Sequence, residues 1–200
     1  MLTAEYVSQT LKGYDVETLY HDYGYFAESI QHPAELKLLL DVFVDQNPRN
    51  ILEIGSWKGG TLYYWLKHSS NDSKVISVDV DHSHIKKVYK NWDIDKNKLH
   101  MVTGDSCSED SLSKVKEIIK DEPIDFVFID GLHDWPQPFN DFALYYPLVN
   151  KHLGIIALHD VRESRCPGVE KAWSRITKMG FVTQIFNAHS MVMGIGLVYL

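Results

Sequence analysis

Residues 51–61 read ILEIGSWKGGT, and this stretch decides the fold. It begins as an apolar run with a single acid, which is typical of a short buried strand. Gly55, Gly59 and Gly60 then allow a tight turn and a close approach of the backbone to a ligand. The helix that begins after this turn offers free N–H groups at its first residues. The stretch therefore predicts a strand–turn–helix unit with a ligand at the turn.

Three interpretations of the turn compete. A P-loop requires GxxxxGK[ST], and Thr61 stands where the lysine belongs. A dinucleotide-binding turn requires GxGxxG, and Trp57 occupies the position of the second glycine. Glu53 at the strand end repels phosphate groups but suits a ligand that carries an ammonium group. A turn that binds such a ligand is the third interpretation, and a glycine-rich turn without any ligand is the alternative to all three.

Short apolar strands alternate with amphipathic helices after residue 33. This rhythm predicts βαβ units and a parallel sheet covered by helices on both faces. The predicted strands are 50–54, 75–79, 99–103, 124–129 and 154–158, and the predicted helices are 33–46, 60–68, 82–91, 111–120, 139–149 and 168–178. The last two predicted strands are 181–186 and 192–200. The connection between them is too short for a parallel crossover, so we expect them to form an antiparallel hairpin.

The glycine turn and the terminal hairpin together resemble the class I S-adenosylmethionine (SAM)-dependent methyltransferases. The turn matches the E/DxGxxxGxS/T cofactor motif of the O-methyltransferases among them. The resemblance implies an α/β, Rossmann-like fold with a mostly parallel seven-stranded sheet. It also implies SAM as cofactor, with contacts from Glu53, Gly55, Ser56, Gly59 and Thr61. We place Trp57 on the wall of the same site.

Polar side chains also follow the second and third strands. Asp79 lies some 20 residues beyond the turn, where an acid is placed to bind both ribose hydroxyls, and Asp81 is the alternative. A solvated acidic turn is the competing interpretation. In the family that the chain resembles, the position of Asp105 and Ser106 contacts the adenine edge. For Ser106 a helix-capping turn is an equal alternative.

The fourth and fifth strands end in IDGLH (129–133) and LHD (158–160). These endings resemble small bacterial methyltransferases of the macrocin O-methyltransferase-like and cephalosporin hydroxylase-like group. In that group, acids at the two strand ends bind a divalent cation, typically Mg²⁺. The resemblance implies Asp130 and Asp160 as ligands and His159 as a third, with Asp130 also beside the cofactor. Many members have an acid where His159 stands, and histidine is a weaker match for Mg²⁺.

The implied reaction is methylation of a hydroxyl on a small molecule, such as a sugar or a natural product. His133 is the candidate general base, because its unperturbed pKa lies near the working pH, and Asp130 stands beside it. A surface histidine is the alternative interpretation of His133. The other functions open are a metal-independent methyltransferase with a histidine base and a non-catalytic SAM-binding domain. The missing GxGxxG and the hairpin count against a nicotinamide-dependent dehydrogenase.

Length and charge limit the organisation and the partners. With 200 residues, the chain fits one methyltransferase domain over 49–200. Residues 1–48 then form a helical, aromatic-rich extension, a lid or a homodimer contact. A net charge of -7 argues against nucleic-acid partners. We expect no signal peptide and no membrane span. Two cysteines without a CxxC pair favour a cytoplasmic protein.

Overall fold

The computed structural model describes residues 31–92, 95–187 and 193–200. Seven strands form one sheet in the order β3-β2-β1-β4-β5-β7-β6. The first five strands pair in parallel, whereas β7 pairs antiparallel with both β5 and β6. This confirms the mostly parallel sheet that ends in an antiparallel pair. The strands are β1 (Asn50–Ile54), β2 (Lys74–Asp79), β3 (Leu99–Thr103), β4 (Phe126–Ile129), β5 (Ile155–Leu158), β6 (Val182–Phe186) and β7 (Ile195–Tyr199).

Six α-helices connect or flank these strands in the described residues. The first and the last of these helices have a proline in their first turn. Proline suits this position because the backbone N–H that it lacks has no partner within the helix there. The helices are α1 (Pro33–Gln46), α2 (Gly60–His68), α3 (Ser83–Val88), α4 (Glu109–Ile119), α5 (Gln137–Tyr145) and α6 (Pro167–Thr177). Short 3-10 turns follow at Tyr89–Asn91, Lys96–Lys98 and Tyr146–Leu148.

The core lies on both faces of the sheet, because successive side chains of a strand point to opposite faces. In β1, Leu52 and Ile54 belong to one buried cluster and Ile51 belongs to the other. The first cluster contains side chains of α4, α5 and α6, and the second contains those of α1 and α2. Central strands with both faces covered therefore read as continuous apolar runs, as the sequence pattern predicted.

The strand order reverses between β1 and β4. One neighbour of β1 is β2 and the other is β4, so the chain crosses over in opposite directions on the two sides. Beyond the carboxyl ends of such a pair, the connections diverge and leave a crevice. The two ends also touch, since the amide of Asp130 donates to the carbonyl of Ile54 at 2.8 Å.

Two predicted boundaries differ from the structure for identifiable reasons. β4 begins at Phe126 rather than at residue 124, and Ile124 forms only an isolated bridge with Val149. Helix α5 ends at Tyr145 and gives way to a 3-10 turn that contains Pro147. Proline cannot supply the amide that an α-helix needs at that point, so the predicted helix to residue 149 is interrupted.

The N-terminal predictions lie partly outside the described residues. Of the helical, aromatic-rich extension predicted over residues 1–48, residues 1–30 fall there. Helix α1 packs in the same buried cluster as β1 and α2 through side chains that include Leu36, Leu39 and Phe43. A role of residues 1–48 as lid or dimer contact stays a prediction. None of the helices in the described parts of the chain combines the length and apolar character of a membrane span.

The contact between β7 and α6 gives a test of the packing. A Cβ at Gly196 would lie 2.6 Å from the buried ring of Trp173. We expect Gly196→Ala to lower the free energy of unfolding by about 1–3 kcal/mol, because the ring must move. Denaturant unfolding measures this. The control is Gly131→Ala, whose Cβ would make only ordinary contacts of 3.4 Å and longer and whose φ is not left-handed. A loss at Gly196 no larger than at Gly131 would show that the ring is not tightly held.

Candidate active site

A cavity of about 1080 Å³ opens at the carboxyl ends of the five parallel strands. Most of the predicted site residues line it, although they come from segments far apart in the sequence. Those that do are Gly55, Ser56, Trp57, Thr61, Asp79, Asp105, Ser106, Asp130, His133, His159 and Asp160. Glu53 and Gly59 are not among the lining residues.

The glycine turn approaches the end of β4 closely. Gly55 has a φ of 82°, and a Cβ there would lie 2.2 Å from the carbonyl oxygen of Asp130. A side chain at this position is excluded both by the backbone conformation and by the lack of space. The amides of Ser56 and Trp57 each donate to Asp79 Oδ2 at 2.8 Å. Asp79 therefore anchors the turn in addition to lining the cavity.

Glu53 is placed differently from the expected contact with an ammonium group. Its side chain is fully buried on the face of β1 that α2 covers, and its carboxylate accepts a hydrogen bond from Thr61 Oγ1 at 2.5 Å. Burial raises the pKa of Glu53 to about 8 against the effect of this bond. A buried carboxyl group with a raised pKa does not supply the exposed negative charge that was expected. Thr61, the hydrogen-bond partner of Glu53, lines the cavity in its place.

Gly59 serves the turn rather than the cavity wall. It is the N-cap of α2 with a left-handed φ of 87°, and its amide donates to the carbonyl of Ser56 at 2.6 Å. A Cβ would lie 2.8 Å from the ring of Trp92. Only glycine combines this conformation with this contact.

A buried acid holds the turn after β3. Ser106 Oγ donates to Asp141 Oδ1 at 2.6 Å, and the Tyr145 hydroxyl donates to the carbonyl of Ser106 at 2.8 Å. The hydroxyl of Ser106 is thus engaged with α5. Burial raises the pKa of Asp141, and its second oxygen has no hydrogen-bond partner among the described residues. Asp105, in contrast, is exposed at the cavity.

Two acids and a histidine converge at the ends of β4 and β5. His159 Nδ1 lies 3.2 Å from Asp130 Oδ1 and 3.3 Å from Asp160 Oδ2. The histidine is 5% exposed, and neither ring nitrogen is aligned for a hydrogen bond with a described residue. Asp160 has a φ of 60°, a conformation that is uncommon outside glycine and concentrates at functional sites.

Asp130 and the neighbouring histidines stabilise each other's charged forms. Burial alone would raise the pKa of Asp130, but the neighbouring His159 and His133 outweigh it and hold that pKa below its usual value. Burial likewise opposes protonation of His159, whereas Asp130 and Asp160 outweigh it and raise its pKa. The group is therefore an ion-paired cluster in the absence of any other cation.

His133 stands at the open side of the cluster. Its Nε2 lies 3.5 Å from Asp130 Oδ1 and 3.4 Å from Asp160 Oδ2, and its side chain is 40% exposed. The bond to Asp130 raises the pKa of His133. Its Nδ1 lies 3.3 Å from the thiol of Cys166, whose pKa is raised to about 11 by burial. The thiol therefore stays protonated near neutral pH.

The comparisons with known proteins agree with this geometry. Residues 52–161, more than half of the chain, match the family described as "Methyltransferase domain". The chain belongs to this family. The matched segment runs from the first strand to just past Asp160, so it contains the ends of all five parallel strands. No curated protein matched the sequence.

Solved structures share the fold of this methyltransferase domain. An O-methyltransferase from Bacillus cereus in complex with SAH has 22% identity and a TM-score of 0.67, with 98% of this chain and 96% of that chain covered. The O-methyltransferase TomG from Streptomyces achromogenes, in complex with SAM, has 14% identity and a TM-score of 0.64, with 99% of this chain and 90% of that chain covered. A Staphylococcus aureus protein, provisionally described as a caffeoyl-CoA O-methyltransferase, has 18% identity and a TM-score of 0.68 over 97% of both chains.

Several residues of the site were missed by the sequence analysis. Gln31 Nε2 donates to Asp130 Oδ2 at 2.6 Å from 99 residues away, and no sequence signal points to it. Asp141 had a signal, because it is an acid between the apolar residues of α5. Glu163 and Arg165 line the cavity as a bidentate pair with N–O distances of 2.9 and 3.0 Å.

The buried state of Glu53 predicts a pH-dependent stability. Its pKa is about 8 in the folded protein and near 4.5 in an unfolded chain, so the folded state retains a proton that the unfolded state releases. Stability from this group is present below about pH 4.5 and is lost as the pH rises towards 8. We expect Glu53→Gln to exceed the parent in unfolding free energy by a few kcal/mol at pH 9 and by much less at pH 5.

Denaturant unfolding at pH 5, 7 and 9 measures this difference. Glu117→Gln, at an exposed position of α4, is the matched control and should show no such pH dependence. A constant difference between Glu53→Gln and the parent across this range would mean that Glu53 is ionised in the folded protein.

Proposed function

We propose that the protein is a SAM-dependent O-methyltransferase acting on a hydroxyl group of a small molecule. The observation that carries the proposal is the close approach of Gly55 to Asp130. It brings a glycine turn backed by Asp79 and a cluster of two acids and two histidines next to each other in the wall of one cavity. The SAH and SAM complexes of the Bacillus cereus and Streptomyces achromogenes O-methyltransferases, which have this fold, support the choice of cofactor.

Cofactor contacts are proposed along the near side of the cavity. Asp79 would bind the ribose hydroxyls, because its carboxylate already lies at the glycine turn and the cavity wall. Asp105 and the turn at Ser106 would contact the adenine. Gly55 lets the backbone approach the cofactor, and Glu53 would act through Thr61 rather than by direct contact. The bound cofactor supplies a methyl group activated by its sulfonium.

We further propose that Asp130, His159 and Asp160 hold a divalent cation. An octahedral ion with bonds of about 2.1 Å places adjacent ligand atoms about 3 Å apart, close to the separations of 3.2 and 3.3 Å seen here. The close but unaligned Nδ1 of His159 fits a ligand atom better than a hydrogen-bond donor. Mg²⁺ is the ion expected from the family resemblance, although an imidazole ligand favours ions such as Mn²⁺ or Zn²⁺. The cation would lower the pKa of the acceptor hydroxyl.

His133 is the proposed general base. Its half-exposed ring can exchange a proton with solvent, and its Nε2 faces the two carboxylates beside which the acceptor oxygen would lie. Asp130 would orient this imidazole and stabilise its protonated form, as a carboxylate does for a paired histidine. The side chains thus remove the acceptor proton while the cavity aligns the oxygen with the methyl group.

A metal-independent methyltransferase is the second candidate, and one observation favours it. The ion pairs of His159 with Asp130 and Asp160 already place a positive charge where the cation would bind. In that case an imidazolium rather than a metal would stabilise charge near the acceptor oxygen. Turnover in the presence of a strong chelator separates the two mechanisms.

Cofactor binding can be tested by calorimetric titration of the protein with SAM and SAH. We expect Asp79→Ala to weaken SAM binding at least about tenfold, because a charged hydrogen-bonding partner and the anchor of the turn are both lost. Asp81→Ala is the matched control, since Asp81 lines the same cavity but bonds to Ser83, and it should stay within about twofold. Equal losses would assign the ribose to both acids, and no SAM binding by the parent protein would exclude the proposed function.

The cation can be tested without turnover by titrating metal-stripped protein with Mg²⁺ and Mn²⁺. We expect Asp160→Ala to lose binding of both ions, because one of two charged ligands is removed. His159→Asp should raise the affinity for Mg²⁺ relative to Mn²⁺, since it replaces nitrogen by oxygen. His152→Asp, at an exposed position outside the cavity, is the control. Undetectable binding of either ion to the parent would support the metal-independent mechanism.

A further inference from the structure

A chain of hydrogen-bonded side chains crosses the carboxyl ends of β1, β2 and β3 beside the cavity. Ser56 Oγ lies 2.6 Å from Ser77 Oγ, which lies 2.8 Å from His82 Nε2. The other ring nitrogen, Nδ1, lies 2.8 Å from Thr103 Oγ1. We call these four residues the hydroxyl–imidazole chain. Ser77 and His82 are 0% and 1% exposed, so the middle of the chain is sealed from solvent.

The hydroxyl–imidazole chain joins the segments to which cofactor contacts are assigned. Ser56 lies in the glycine turn and lines the cavity. His82 lies in the acidic turn that follows β2, and Thr103 immediately precedes the turn that contains Asp105. The turns after β1 and β3 are not neighbours in the sheet, because β2 lies between them. The imidazole of His82 therefore connects two turns whose strands, β1 and β3, do not pair with each other.

The backbone around Asp79 reinforces this connection. Its side chain accepts from the amide of Ser56 at 2.8 Å, and its carbonyl accepts from the amide of Gly104 at 2.9 Å. The two turns are thus held at β2 twice, once by Asp79 and once by the hydroxyl–imidazole chain. Asp79 is rigidly placed only if the turns on either side of it keep their positions.

The protonation state of His82 gives the chain a direction. Burial lowers the pKa of His82, although Asp79 and Asp81 oppose this effect. A neutral imidazole has one donor nitrogen and one acceptor nitrogen. When Nε2 is the acceptor, Ser77 donates to it, and the short contact between the serines then requires Ser56 to donate to Ser77. When Nε2 is the donor, the Ser77 hydroxyl is available to donate to Ser56. The tautomer of His82 is therefore coupled to the orientation of the Ser56 hydroxyl.

We propose that His82 is a positioning residue for cofactor binding. Through Ser77 and Thr103, it holds the glycine turn and the turn after β3 in fixed positions relative to each other. The proposal rests on the proposed function, since it concerns the affinity for SAM. His82 does not line the cavity and would touch neither the cofactor nor the acceptor. Its effect would be on the dissociation constant of the cofactor, not on the cation at Asp130 and Asp160.

The test compares two variants at Thr103 with one at His82. Thr103→Val removes the hydroxyl but keeps the shape, whereas Thr103→Ser keeps the hydroxyl. His82→Leu removes the imidazole. We expect Thr103→Val and His82→Leu to weaken SAM and SAH binding about five- to tenfold in calorimetric titrations, the effect of one lost hydrogen bond. Thr103→Ser should retain the affinity of the parent protein. If His82→Leu does not fold, the two Thr103 variants decide.

Lys98→Met is the matched control for a loss of stability alone. The ammonium group of Lys98 is also buried, and it donates to the carbonyls of Leu66 and Ser69 at 2.7 and 3.0 Å outside the cavity. This variant should lower the unfolding midpoint without changing the dissociation constant for SAM.

The outcomes separate the two proposals. No SAM binding by the parent protein would overturn the proposed function itself. SAM binding by the parent with unchanged affinity in Thr103→Val and His82→Leu would overturn only the role of His82. Equal weakening in Thr103→Val, Thr103→Ser and Lys98→Met would also overturn it, because the effect would then follow stability rather than the hydroxyl–imidazole chain.

Discussion

The site depends on one steric constraint, the contact between the glycine turn and the end of β4. A Cβ at Gly55 would lie 2.2 Å from the carbonyl oxygen of Asp130, so the two loops meet backbone to backbone at the point where the strand order reverses. The connections diverge on either side of this contact. The glycine turn and the paired charges at the ends of β4 and β5 both line the resulting cavity. Any larger residue at position 55 would push these two parts of the cavity wall apart.

The fold also places carboxyl groups of opposite character at neighbouring strand ends. Glu53 lies in β1 and Asp130 directly follows β4, the strand paired with β1; Glu53 is fully buried, whereas the side chain of Asp130 is 16% exposed at the cavity. Glu53 has a single hydroxyl partner, so burial dominates and its pKa rises to about 8. Asp130 faces two histidines, which outweigh burial and lower its pKa. The two acids thus differ because of their surroundings and not because of their residue types. Glu53, with its raised pKa, supports the structure of the turn, whereas Asp130, with its lowered pKa, provides a negative charge at the cavity.

The periodicity of the sequence was sufficient to predict the strands and helices of the described residues and the polar residues at the strand ends. Both are local properties of the chain. The periodicity failed where a side chain's role depends on which face it occupies. Glu53 was expected at the cavity, but it shares the face of β1 that α2 covers. Contacts between distant segments gave no signal at all, as with Gln31 on Asp130. The hydroxyl–imidazole chain was likewise hidden, since its serines and threonine are ordinary residues until the sheet brings them together.

A histidine in place of a third acid changes the charge of the proposed cation site. Two carboxylates and a neutral imidazole carry two negative charges, which balance a divalent cation without a residual buried charge. Three carboxylates would leave one negative charge unbalanced in a site where His159 is 5% exposed and uncompensated charge is costly. In the proposed metal-free state, His159 would instead carry a proton and pair with Asp130 and Asp160, whose oxygens lie 3.2 and 3.3 Å from its Nδ1. The same three side chains would then serve both of the proposed mechanisms.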